Sequence, residues 1–255
     1  MELAEQVIDV ALAMDMWVFG GYVRDVIVRG QKKFGDLDLG CSEQKTNVNQ
    51  FIRVLGTRFD IKSVRTRRFN DTKGYGRMSK GIKRVERFVV NDVLHIDVVV
   101  FDGSFTEWCN EESVDFTCNL FVRTWDIRLG VRYAPGRFKH MANPAAELVK
   151  MTQEGVFERI WDGSDEHANH MHVFQICQRA KELVKRGFTF KGPMWTPHME
   201  MKLMGHSAIE DVCFDIEDEI AVIQTRRTTQ EMVRCLRRNG IHLPHEIFTK
   251  IESAA

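Results

Sequence analysis

Proline is scarce, with 5 in 255 residues, and no low-complexity tract or internal repeat is visible, so extensive disorder is not expected. No apolar run reaches the roughly 18 residues of a membrane-spanning helix, and no secretory signal stands at the start. The expected location is therefore cytoplasmic, with no membrane partner. Six cysteines (Cys41, Cys109, Cys118, Cys177, Cys213 and Cys235) lack paired spacing, which points to reduced, mostly buried thiols rather than a disulfide framework. An excess of charge is missing too. Thirty-six basic residues balance thirty-six acidic ones, so net charge says nothing about a polyanionic partner.

The distribution of charge is more informative. From Ile61 to Arg87 ten Lys and Arg face two acids, whereas Ser207 to Ile220 holds six acids and no base. Such asymmetry creates local fields in a neutral molecule. Composition is otherwise ordinary, with 44% hydrophobic and 28% charged residues. The length allows one large core, or a main domain with a smaller appendage.

Leu3, Val7, Ala11 and Met14 recur at helical spacing, so the chain begins with an amphipathic helix. Met16 to Phe19 reads as a buried strand entering a tight turn at Gly20-Gly21. Val23 to Val28 resumes a helical pattern that Gly30 ends. The alternation Asp36-Leu37-Asp38-Leu39 suggests a strand, and Thr46 or Asn47 caps a helix with Val48, Phe51, Ile52 and Leu55 on its inner face. Val85 to Val90 and Leu94 to Phe101 form a hairpin around Asn91-Asp92. Phe116 to Val122 and Trp125 to Leu129 read as further strands.

After Pro135-Gly136 helices dominate: one begins at Asn143-Pro144, and one carries Val173, Ile176, Cys177, Ala180 and Val184 before Gly187. Thr228 and Glu231 form a possible capping box. The expectation is a mixed α/β domain over 1–138 followed by a helical region over 139–255.

Three features carry chemistry. In a strand, residues two apart share a face, so Asp36 and Asp38 present two carboxylates together. A charged pair of that kind calls for a cation between its members, and Mg²⁺ or Mn²⁺ suits oxygen ligands. Upstream, Gly20 and Gly21 let the backbone approach a phosphate, and the helix after them offers unpaired N–H groups and a positive end. Arg24 on its first turn stands ready for a triphosphate oxygen. Asp97 lies in the strand His95 to Val100.

Gly20-Gly21-Tyr22-Val23-Arg24-Asp25 followed by Gly35-Asp36-Leu37-Asp38-Leu39 resembles the head signature of tRNA nucleotidyltransferases (CCA-adding enzymes) and bacterial poly(A) polymerases. Asp115-Phe116-Thr117-Cys118-Asn119-Leu120 is similar to that family's Arg-Arg-Asp-Phe-Thr-x-Asn motif. Residues 15–130 carry the resemblance best and 140–190 only weakly. It implies an α+β nucleotidyltransferase head, a small mixed or antiparallel sheet flanked by helices, then a helical neck and a shortened body.

It further implies catalytic metals on Asp36 and Asp38, with Asp97 as a further strand acid. Gly20, Gly21 and Arg24 would contact the triphosphate and Asp25 would brace the helix or Arg24. Asp115 and Asn119 would lie near the sugar and phosphates. The implied reaction transfers NMP from an NTP (ATP, CTP or both) to an RNA 3′ hydroxyl, with tRNA a candidate RNA, releasing pyrophosphate. The family's two arginines are replaced by Ser113 and Val114, and its base-reading neck motif is not evident.

The basic run supplies a candidate RNA track: Arg65, Arg67, Arg68, Lys73, Arg77, Lys80, Lys83 and Arg84. Alone it reads as a solvated face; beside a polymerase-like site it reads as a phosphate contact. His167, His170 and His172 with Asp165 and Glu166 read as a solvated loop or helix start rather than a metal site. The five tryptophans read mainly as packing residues, with one available to stack a base. Two alternatives stand beside the main reading: nucleotidyl transfer to a protein or small molecule, and a non-catalytic nucleotide- or RNA-binding module derived from such a head.

Overall fold

The structure, a computed structural model, describes residues 1–68, 81–110, 114–133, 137–160, 170–192, 196 and 198–199. Lys73, Arg77 and Lys80, the His167 region, Ser113, Trp161, Trp195, the acidic run and the residues 228–231 lie outside them. The chain divides into two compact units, Met1–Glu154 and Gly155–Ala255. Among the described residues no helix is long and apolar enough to cross a membrane.

The first unit is built on a seven-stranded sheet. Its strands are β1 (Trp17–Phe19), β2 (Leu37–Ser42), β3 (Ile61–Arg68), β4 (Ile82–Val90), β5 (Leu94–Phe101), β6 (Phe121–Arg123) and β7 (Gly130–Val131). They lie in the order β3-β4-β5-β2-β1-β6-β7, antiparallel throughout except for the parallel pair β2 and β5. A parallel pair needs a long crossover, and here α3 (Val48–Gly56) with β3 and β4 supplies it. Asn47 caps α3 by accepting the Gln50 amide at 3.2 Å. Asn91 and Asp92, both at positive φ, make the β4–β5 turn.

Period-two alternation splits the sheet into two faces. Leu37, Leu39 and Cys41 of β2 and Ile96, Val98 and Val100 of β5 are fully buried on one. Phe88 on that face meets Phe51 of α3 edge-on, with ring centroids 6.3 Å apart. Helix α1 (Glu2–Leu12) contacts α3 and β1, burying Ala4, Val7, Ile8 and Ala11 at the spacing read from the sequence. The opposite face is only half covered. There α4 (Phe105–Asn110) places Trp108 against Trp17 and Phe19, each at 5.2 Å, beside Phe101 and Val122. Gly40 makes room: a Cβ on it would lie 2.1 Å from Trp17 Nε1. The rest of this face carries charge.

Two expectations are corrected. Phe116 to Val122 is not one strand: Asp115 Oδ1 accepts from the Phe116 amide and from Asn119 Nδ2, both at 2.8 Å. These local bonds compete with strand pairing and leave a 3₁₀ turn at Thr117–Asn119, with β6 starting at Phe121. Trp125 to Leu129 is a turn, closed by Thr124 N–H to the Ile127 carbonyl at 2.8 Å and by the Ile127 amide to Thr124 Oγ1 at 3.1 Å. Its Trp125 is 80% exposed and lies outside the core, whereas Trp17 and Trp108 are buried. Val23–Val28 winds as a wider π-helix after one α-turn at Gly20–Tyr22, and Val23, Arg24 and Asp25 are all buried.

Helix α5 (Pro144–Gln153) ends the first unit, its Asn143 cap accepting the Ala146 amide at 3.3 Å. In the second unit β8 (Val156–Phe157) pairs in parallel with β9 (Thr189–Phe190), joined through α6 (His170–Lys185). Val173, Ile176, Cys177 and Ala180 form the buried stripe of α6, and Gly187 follows at φ +82°. The four described cysteines are free thiols, and burial pushes the Cys41 thiol up to about 12.

Candidate active site

Strand register carries one row of residues across the open part of the charged face. Arg65 on β3 faces Arg87 on β4, Arg87 faces Asp97 on β5, and Asp97 faces Asp38 on β2. Paired residues share a face, so the four side chains emerge on the same side. Phe19 at the end of β1 is the next in the row. Asp36 stands one residue before β2, exposed, and still reaches the group. Carboxylate oxygens of Asp36, Asp38 and Asp97 all lie within 4.8 Å of one another.

The chain turns into this cluster at Gly20, which sits at φ +69°, where L side chains are strained. A Cβ there would lie 2.1 Å from Asp38 Oδ2, so the hydrogen of Gly20 makes the space that the carboxylate occupies. No side chain caps the helix start after Phe19. Gly20→Ala is therefore expected to displace Asp38. We expect about 1–3 kcal/mol of destabilisation from the positive φ and the overlap, seen in a urea titration. The loss of divalent-ion binding by calorimetry should be larger than that destabilisation suggests.

Asp97 bears the mark of the cluster. Burial pushes its carboxyl above the usual carboxylate range, the Arg87 guanidinium opposes the shift, and the Asp36 charge adds to it. Three acids this close favour a bound cation over mutual repulsion. The donors are all hard oxygens, and the Gly20 cradle keeps one of them in place. The residues present fit Mg²⁺ or Mn²⁺.

Arg24 is buried behind the glycine turn. It is 6% exposed, donating to Asp25 through Nε at 2.8 Å and Nη2 at 2.6 Å, and to Asn119 Oδ1 through Nη1 at 2.8 Å. Burial works against its charge, but the bonds it donates to Asp25 prevail and hold it above its ordinary value. Asn119 continues the chain to Asp115. Asp25, Arg24, Asn119 and Asp115 thus form one buried network behind the glycine turn. An Nη2 atom of Arg24 lies 3.7 Å from where a Gly21 Cβ would be, so the network underlies the turn itself.

The basic run divides. Arg65 lies in register with Arg87, on the face of the carboxylates, and Arg67 is in register with Val85. Arg68 is the last residue of β3, opposite Arg84. Lys83 pairs with Asp102 at 2.8 Å, and Arg84 lies on the other face, paired with Glu43 and with Glu86 at 3.1 Å. Arg87, the last residue of the basic run, contacts the cluster, a contact not expected from the sequence. A signal was there: the hairpin turn sets partners whose numbers sum to a constant, so Val90 opposite Leu94 puts Arg87 opposite Asp97.

No family model matches the sequence, and no curated protein matches it. Among solved structures, the apo form I of a CCA-adding enzyme is similar over 93% of this chain and 49% of its own, at TM-score 0.52 and 13% identity. The Bacillus stearothermophilus CCA-adding enzyme in complex with CTP covers 94% and 52%, at TM-score 0.44 and 13% identity. The apo form II of a CCA-adding enzyme covers 98% and 69%, at TM-score 0.41 and 13% identity. The chain spans about half the length of the first two. The likeness to apo form I establishes the fold: this chain has the tRNA nucleotidyltransferase-like fold of a CCA-adding enzyme, as its motifs led one to expect.

Proposed function

We propose that the chain is a metal-dependent nucleotidyltransferase that moves NMP from an NTP to an RNA 3′ hydroxyl. The observation that carries this reading is the convergence of Asp36, Asp38 and Asp97 beside the Gly20 turn, on a sheet of this fold. The hydroxyl oxygen bonds to the α-phosphorus, the bond to the bridging oxygen breaks, and pyrophosphate leaves. Mg²⁺ or Mn²⁺ held by these acids would favour the alkoxide and neutralise the departing charge. The turn at Gly20 makes room for the Asp38 carboxylate, and the helix start after Phe19 has no side-chain cap, which suits a triphosphate there. The buried Arg24 network holds that turn in place. Arg65, on the same face, suits an RNA backbone, and the motif resemblance makes tRNA the candidate acceptor with ATP and CTP as candidate nucleotides.

The test is incubation with Mg²⁺, each labelled NTP and a mixed RNA pool, beside an Asp36→Ala/Asp38→Ala control. Label on RNA 3′ ends, lost in the control, is the expected result and identifies the nucleotide. Label on protein or a small acceptor would instead favour transfer to that acceptor. Binding of nucleotide without any transfer would reduce the chain to a binding module.

A further inference from the structure

Arg87 donates from Nε to Asp97 Oδ2 at 2.9 Å, and its Nη2 lies 2.7 Å from the same oxygen. The Arg87 side chain is 60% exposed while that of Asp97 is 17% exposed, so a surface cation reaches inward over a partly buried acid. Strand register fixes this arrangement, because Arg87 is the direct cross-strand partner of Asp97. On its other side Arg87 faces Arg65, an exposed cation of like charge, which is an unfavourable pairing. The pair with Asp97 therefore matters more to Arg87 than an ordinary surface ion pair would. It also places one positive charge beside three carboxylates that repel one another.

We propose that Arg87 is a built-in counter-ion of this cluster, competing with a divalent metal ion for Asp97. The inference rests on reading Asp36, Asp38 and Asp97 as a metal centre. With Arg87 in place, the bare site binds metal less tightly than three carboxylates otherwise would. Metal occupancy then favours the moment when nucleotide phosphates add their own oxygens as ligands. Displaced from Asp97, the Arg87 guanidinium joins Arg65 on the same face, where both can meet phosphate.

The direction of the effect separates this role from the ordinary ones. A residue that merely orients Asp97 would weaken metal binding when removed, and an inert surface arginine would change nothing. The experiment is Mn²⁺ binding by electron paramagnetic resonance at low salt, without nucleotide. It compares the wild-type chain, Arg87→Gln, Arg87→Lys and an Asp36→Asn/Asp38→Asn control, each confirmed as folded by its thermal melt.

Arg87→Gln is expected to bind Mn²⁺ about two- to fivefold tighter, the range an exposed ion pair supports. The gain should fade in molar salt, where the Debye length is about 3 Å, and Arg87→Lys should return near wild type. Arg87→Gln binding no tighter than a wild type that clearly binds would sink the competition while leaving the metal centre intact. If wild type and Arg87→Gln both bind no better than the double-asparagine control, the metal centre falls and the proposal falls with it.

Discussion

Asp38→Asn is expected to slow nucleotidyl transfer about 10³-fold, roughly 4 kcal/mol of transition-state stabilisation, with the fold unchanged. Asparagine keeps the shape that fits against Gly20 and removes one negative charge. Asp38 sits at the centre of the carboxylate row, beside Asp97 in register and within 4.8 Å of Asp36 as well. Its loss should therefore weaken divalent-ion binding more than the loss of the exposed Asp36. Stability should move the other way, if at all, because like charges at close range oppose folding without a cation. A melting temperature held or slightly raised, with transfer lost in single-turnover assays using labelled NTP, is the expected pair of results. Transfer surviving in Asp38→Asn would move the chemistry away from this cluster.

Local signals carried the elements that surround the site. Glycines at 20 and 21, alternation through Leu37 and Leu39, the Asn91-Asp92 turn and the caps at Asn47 and Asn143 each act within a few residues. Their effects were legible for that reason. Strand β3 was hidden because it is an edge strand whose polar, basic residues look like a solvated loop. Charge is how an edge avoids pairing with another chain. The start of β2 was equally out of reach. Alternation cannot say where pairing begins, and it begins at Leu37 opposite Ile96, leaving Asp36 just outside.

The long reach of Asp115 and Asn119 to Arg24 depends on a contact spanning 95 residues, which no local pattern encodes. The resemblance put these residues near a nucleotide. The structure joins them to Arg24 and Asp25 in a common network.

That network supports the other large expected effect. Asp25→Ala should cost about 3–5 kcal/mol, because it leaves the buried Arg24 guanidinium without its two-pronged partner. For a chain of this size the melting temperature should fall by about 10 °C. The loss would be felt at both ends of the network, since Arg24 ties the turn after Gly20-Gly21 to the 3₁₀ turn that leads into β6. A double replacement, Arg24→Met with Asp25→Leu, should recover most of the stability, as apolar pairs of similar volume often do at buried ion pairs. Transfer activity then separates two roles for the network. If the double variant regains stability and the wild-type KM for NTP, the network only supports the fold. If stability returns while KM for NTP stays about tenfold raised, Arg24 and Asn119 also set the geometry of the glycine turn at which the triphosphate would bind. We expect the second result, because the Arg24 guanidinium lies directly beneath Gly21, and methionine restores its bulk without its hydrogen bond to Asn119.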